Sequence, residues 1–224
     1  MGASNSATKS MKFYSLKAKA SETETPNFAL TEKVNEKWQI TNNFDTMTGY
    51  LNSAEIKEKE YQGAKFNVFV LEIQDDNETS KVEMTHNSVT HSLINSLASD
   101  CNTLDEYSFT VKKKQTKGKD GKSYWNGNCY INIKGRTESL KWSIDPQSAP
   151  RKEPVQGPDG KPFMLQGKQV WDDSKVRAFW EDIFNAKIVS VLGKSAPSVK
   201  VAAAAPATQE SNSNAADIAD DLPF

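Results

Sequence analysis

No run of about 18 apolar residues occurs in the chain, which excludes a membrane-spanning helix of the usual length. The N-terminus carries no apolar signal segment, so an intracellular, cytoplasmic protein is expected. Cysteine is scarce: Cys101 and Cys129 are too few for a disulfide framework and suit reduced, buried thiols. His86 and His91 make no metal-ligand spacing with them, so zinc is not expected. A Walker loop, a dinucleotide fingerprint and a nucleophile elbow are all missing. Asp75-Asp76-Asn77-Glu78 lacks the glycine and terminal glutamate of a calcium loop and reads as a hairpin turn. No cofactor, catalytic residue or chemical step is therefore expected.

What is present points to a folded body with polar appendages. At 224 residues and 37% hydrophobic content the chain can bury a core, while its mean hydropathy is −0.67. The net charge of −1 conceals an asymmetry. Four of the 29 acids (Glu210, Asp217, Asp220, Asp221) follow Lys200, and no Lys or Arg does; the rest of the chain has 28 basic and 25 acidic groups, a net of +3. Opposite charge on body and end suits two different partners.

Residues 1–10 read as a polar, disordered leader, in which Met1-Gly2 with Ser6 matches only a short and common myristoylation pattern. The body, 11–192, reads as mainly β. Lys12–Lys19, Lys37–Ile40, Gly49–Tyr61, Lys65–Ile73 and Thr79–Thr85 have strand character, with Gln62-Gly63 joining the third and fourth. Val89–Ala98 shifts to helical period through Leu93, Ile94 and Leu97. Tyr107–Lys114 and Tyr124–Lys134 follow as strands around an Asp120-Gly121 hairpin turn. Three strands, a helix and two strands suit the five-stranded Greek-key barrel called the OB-fold, here with additional helices and strands.

Residues 146–162 hold five prolines and two glycines and read as a long loop turning at Pro158-Asp159-Gly160. Asp172-Asp173-Ser174 then caps a helix reaching about Val191. Its stripe of Val176, Phe179, Trp180, Ile183, Phe184 and Ile188 packs on the barrel, with a dimerisation helix as the alternative and a homo-oligomer as its consequence. From 193 to 216 the chain is Ala, Ser, Pro and Asn with almost no large apolar side chain, a disordered linker whose ends sit roughly 25 Å apart.

Two constellations carry chemistry. Between Lys112 and Arg136 lie eight basic residues and one acid, Asp120. With Cys129, Ile131 and Ile133 facing a core, strand alternation turns Tyr130, Asn132 and Lys134 outward, and on the neighbouring strand Ser108, Thr110, Lys112 and Lys114. Lys112, Lys113, Lys114, Lys117, Lys119, Lys122 and Lys134 offer amines to phosphates, while Tyr124, Trp125 and Tyr130 offer rings for base stacking. Non-specific single-strand binding needs both, because charge follows the backbone and stacking accepts any base. The other four tryptophans read as packing residues.

The second constellation is the ending, 217–224. Asp217, Asp220 and Asp221 stand beside the apolar tip Leu222-Pro223-Phe224, and a pocket with an apolar slot and flanking Arg or Lys would capture ring and terminal carboxylate together. Asp220-Asp221-Leu222-Pro223-Phe224 resembles the tail of bacterial and phage single-stranded DNA-binding proteins, as does the arrangement of β body, low-complexity linker and acidic tip. The body lacks the bacterial N-terminal strand pattern and is longer, and its lysine-rich hairpin is more similar to a phage-encoded relative.

The resemblance implies coating of single-stranded DNA during replication, recombination and repair. It also implies that Asp217, Asp220, Asp221, Leu222, Pro223 and Phe224 dock partner proteins of those processes, and that the tail competes with DNA for the basic groove. The alternative is a replisome adaptor whose body binds protein instead of DNA.

Overall fold

The computed structural model describes residues 10–75, 78–118 and 121–193; the linker, the acidic ending, Lys119 and the first nine residues lie outside the described residues. The alternating apolar pattern of the chain becomes one curled, half-barrel sheet of eight strands. In chain order these are β1 (Ser10–Lys17), β2 (Asn27–Val34), β3 (Lys37–Phe44), β4 (Thr46–Tyr61), β5 (Ala64–Gln74) and β6 (Glu78–Met84), then helix α1 (Ser88–Leu97), then β7 (Glu106–Lys117) and β8 (Ser123–Ile133). Across the sheet the order is β3-β2-β1-β6-β5-β4-β7-β8. Only β1 and β6 run parallel; every other neighbouring pair is antiparallel.

The expected run of three strands, a helix and two strands is present as β4 to β8. Local turn chemistry sets its hairpins. Gln62 and Gly63 both take positive φ (50° and 79°), the two-residue turn whose twist matches antiparallel strands, and Asn35 and Glu36 do the same between β2 and β3. Gly49 lets β4 approach β5: at φ 148°, a Cβ there would lie 2.7 Å from the Gln74 carbonyl oxygen.

The concave face of the sheet holds the core. Phe69, Leu71 and Ile73 of β5, Tyr107, Phe109 and Val111 of β7, and Cys129, Ile131 and Ile133 of β8 are buried there. Val89, Leu93, Ile94 and Leu97 of α1 cover them. Each such large side chain contributes about 1.5–3 kcal/mol on burial. Asn87 caps α1 by accepting from the Thr90 N–H. Burial pushes the Cys129 and Cys101 thiols up to about 12, so both stay protonated and free.

Helix α1 also closes the β8 edge of the sheet. Ser92 accepts from the Cys129 N–H at 3.0 Å and donates to the Cys129 carbonyl at 3.1 Å, and the Leu140 N–H bonds the Ile131 carbonyl. Gly127 makes room for this packing, since a Cβ there would lie 2.5 Å from Val89 and 2.7 Å from Pro26.

The proline-rich segment is more ordered than a loop. Strands β9 (Glu153–Pro154) and β12 (Trp171–Asp172) pair, and between them β10 (Met164–Leu165) pairs with β11 (Lys168–Gln169). The turn at Pro158-Asp159-Gly160 is closed by the Gly157 N–H on the Lys161 carbonyl. Helix α2 (Ser174–Phe184) follows, widens into a π turn at Asn185–Val189, and ends as α3 (Ser190–Leu192). Asp172 accepts from the Ser174 N–H, whereas Asp173 turns its carboxylate to Arg177. Val176, Trp180, Phe184 and Ile188 are buried against the body, and Phe179 and Ile183 pack beside them partly buried. The Gly193 carbonyl accepts from Ala54 N–H at the bulge of β4.

A buried polar cluster joins α1 to α2. His86 bonds His91 through Nδ1 (3.3 Å) and Glu181 through Nε2 (3.0 Å), and Glu181 also accepts from Asn67. His91 stacks on Trp180 with centroids 4.9 Å apart. Among the described residues no helix is long and apolar enough to cross a membrane.

Candidate nucleic-acid interface

The β7–β8 hairpin splits the expected contact residues between two faces. Thr110 pairs with Tyr130, Lys112 with Asn128, Lys114 with Asn126 and Thr116 with Tyr124, so these side chains share the outer, convex face. Tyr130 is 41% exposed, with the Lys112 ammonium 6.0 Å from its ring centroid. Lys112, Lys114 and Lys117 join no ion pair among the described residues.

The alternate set turns to the core side. Lys113 pairs with Gly127 and Gln115 with Trp125, beyond the buried Val111 and Cys129. There the connection between β1 and β2 folds over them. The Lys113 ammonium donates to the carbonyls of Ser21 (2.9 Å) and Glu22 (2.8 Å) and lies 5.0 Å from the Trp125 ring centroid. Lys113 and Trp125 thus hold a loop to the hairpin, on the opposite face from Tyr130.

At the base of the hairpin, charge is locally compensated. Lys134 pairs with Glu106, and Arg136 bridges Asp100 and Asp105. At its tip Lys122 is exposed, and its carbonyl accepts from Gly118 N–H. Lys117, opposite Ser123, flanks that turn.

No protein-family model, curated protein or solved structure matches this chain. What the hairpin can hold therefore follows from its own chemistry.

The outer face continues onto β4. Thr46 pairs with Thr110, Thr48 with Ser108 and Tyr50 with Glu106, and all three β4 residues are exposed. Tyr50, 42% exposed, adds a ring that the strand reading of Gly49–Tyr61 left unassigned. Its signal was the alternation with Met47, Gly49 and Leu51, which are buried. Tyr124 and Tyr130 are six residues apart on one strand, about 20 Å. Among the described residues the resulting strip is hydroxyls, amides, three tyrosines and the ammonium groups of Lys112 and Lys114, which join no ion pair there, and its one acid, Glu106, pairs with Lys134. It offers stacking surfaces and cations along the convex face of the sheet. Among the described residues no group of three His, Cys, Asp or Glu is placed to hold a metal ion.

Proposed function

We propose that this protein binds single-stranded DNA without sequence preference along the outer face of β7, β8 and the first half of β4. The observation that carries the reading is the coincidence of Lys112 and Lys114, both without carboxylate partners among the described residues, with the exposed rings of Tyr130 and Tyr50 on one face. Lysines follow phosphates and release counterions, and tyrosines stack on any base. Lys122 extends the cationic path to the tip, where Lys119 also belongs by sequence, while Lys117, in register with Lys113 and Gln115, flanks the turn from the other face. The order β4-β5-β6-α1-β7-β8 supports an OB-like barrel as the underlying scaffold, elaborated by β1 to β3.

The biological role that fits is coating and protecting DNA strands during phage or bacterial replication, recombination and repair. Asp217, Asp220, Asp221, Leu222, Pro223 and Phe224 then recruit partner proteins, a role supported by the resemblance of that ending to the single-stranded DNA-binding family.

Oligo-dT binding at two salt concentrations, for the full chain and for a chain ending at Ala216, tests both parts. Tight binding that weakens with salt and survives loss of the ending is the expected result. Absence of binding by either chain rejects the DNA reading in favour of a protein-binding adaptor.

A further inference from the structure

The sheet has two edges, and among the described residues its own chain covers only one of them. At β8, Ser92 and Leu140 satisfy backbone groups of Cys129 and Ile131. At β3 all eight residues are exposed, and among the described residues no strand pairs beyond it. A free strand edge is usually guarded by proline, by interior charge or by a bulge. Lys37–Phe44 has no proline, and its only charge is Lys37 at the start. Its one register shift, at Leu30/Thr31, leaves Thr41 as the extra residue on this strand, so the regular edge is Lys37–Ile40 with Thr41 at its margin.

The unguarded stretch is also apolar. Thr31 pairs with both Phe13 and Ile40, and Lys33 with Trp38, so Phe13, Trp38 and Ile40 share the outer face. Trp38 is 57% exposed and Ile40 52%, with Phe13 edge-on to Trp38 at 5.8 Å. Bare backbone and a branched aliphatic chain beside the indole favour a protein strand over a nucleic acid as occupant.

Backbone geometry selects the register. The two-residue turn at Asn35-Glu36 makes Val34 and Lys37 a hydrogen-bonded pair, so the pairs at Lys33/Trp38 and Thr31/Ile40 are non-hydrogen-bonded. The N–H and C=O groups of Trp38 and Ile40 therefore point away from β2, to the free edge. An antiparallel strand presenting matching groups two residues apart uses all four, and β3 is itself such a strand.

We propose that two copies of this chain pair through β3, antiparallel about a two-fold axis at Gln39. Trp38 of each copy then stands opposite Ile40 of the other, an aromatic to β-branched cross-strand pair. Lys37 faces Thr41, so no like charges oppose, and the interface is self-complementary as a two-fold requires. The two half-barrels become one continuous sheet. This inference is independent of the nucleic-acid reading.

Light scattering on the full chain tests it, with two variants. The parent is expected at twice the 24.9 kDa chain mass. Ile40→Pro removes only an outward N–H and leaves the β2 ladder intact, so its mass should halve with an unchanged far-ultraviolet spectrum. Gln39→Cys should give a covalent dimer on mild oxidation, because directly opposed non-hydrogen-bonded residues sit within disulfide range. The parent should give none, because Cys129 is buried and the half-buried Cys101 lies away from β3 with its thiol held protonated. A parent that stays monomeric, or a dimer that Ile40→Pro leaves intact, overturns the proposal. Loss of the dimer in Ile40→Pro without crosslinking by Gln39→Cys overturns the Gln39-centred register. A monomer whose Trp38 fluorescence is quenched by oligo-dT overturns it in favour of a nucleic-acid surface.

Discussion

Lys113 and Trp125 stack cation on ring at 5.0 Å, and the same ammonium closes on the Ser21 and Glu22 carbonyls, so one side chain joins the β7–β8 hairpin to the connection leaving β1. Its neighbour Lys112 points the other way, without a carboxylate partner among the described residues. Two adjacent lysines should therefore fail differently. Lys112→Ala is expected to lower the salt slope of oligo-dT affinity by about 0.7, the contribution of one phosphate contact on a single strand, with an unchanged melting temperature. Lys113→Ala should leave that slope alone and cost about 1–2 kcal/mol of stability, from charged hydrogen bonds lost. Equal effects of both on DNA affinity would refute the division of faces.

Stacking is tested at the rings. Tyr130→Ala and Tyr50→Ala should each weaken oligo-dT binding by about 5- to 150-fold, the range for loss of one stacked base. Phenylalanine at either position should keep most of the affinity. Fluorescence titration at fixed salt reads this directly, and an undiminished affinity in both alanine variants removes the outer face from the binding path.

Ser92 is the hinge of the closed edge. Ser92→Ala strips a partner from both the N–H and the C=O of Cys129, two groups buried under α1. The expected cost is about 1–3 kcal/mol, as for a buried backbone group left unmet, measured by urea unfolding. A neutral result would mean that water replaces the hydroxyl there.

The histidine pair makes stability depend on pH. Burial pushes His86 down, against the opposing pull of Glu181, and burial with the nearby His86, Lys152 and Arg177 charges takes His91 down to about 3. Asp173 opposes the shift at His86. In the unfolded chain both titrate at 6.5. Below that value the unfolded state binds more protons than the native one, so stability is intact above pH 6.5 and falls as pH drops under it. For His91 the limiting slope is about 1.4 kcal/mol per pH unit, and His86 adds to it in the same direction. Urea midpoints taken between about pH 7.5 and 5 should decline in the parent and decline less in His91→Gln; parallel curves would place the effect elsewhere.

Much of this architecture is legible in the residues because burial on one face writes period two into a strand. Phe69, Leu71 and Ile73 reveal β5, and Cys129, Ile131 and Ile133 reveal both β8 and its outward face. The strand Asn27–Val34 went unforeseen because only Phe28, Ala29 and Leu30 are buried, and Thr31–Val34 projects into solvent without a pattern. The extension of β3 past Ile40 was hidden likewise, since nothing covers Thr41, Asn42 or Asn43. The short pairs in 153–172 join strands of two residues, too brief for any periodicity. Alternation set Lys112, Lys114 and Tyr130 outward, but charge counting kept Lys113 and Trp125 with them although they lie on the other face. Whether a lysine meets solvent or a carbonyl depends on a loop some ninety positions away in sequence, as the Lys113 bonds to Ser21 and Glu22 show.

The parallel ladder between β1 and β6 sets the sequence of assembly. All of β2 to β5 lies between these two strands, so a nascent chain cannot seat its first strand until β6 has left the ribosome. Contacts this distant form late, after local hairpins such as β4–β5 and β7–β8 have already closed. The N-terminal wing of β1, β2 and β3 is thus made first but waits for β6 before it joins the rest of the sheet.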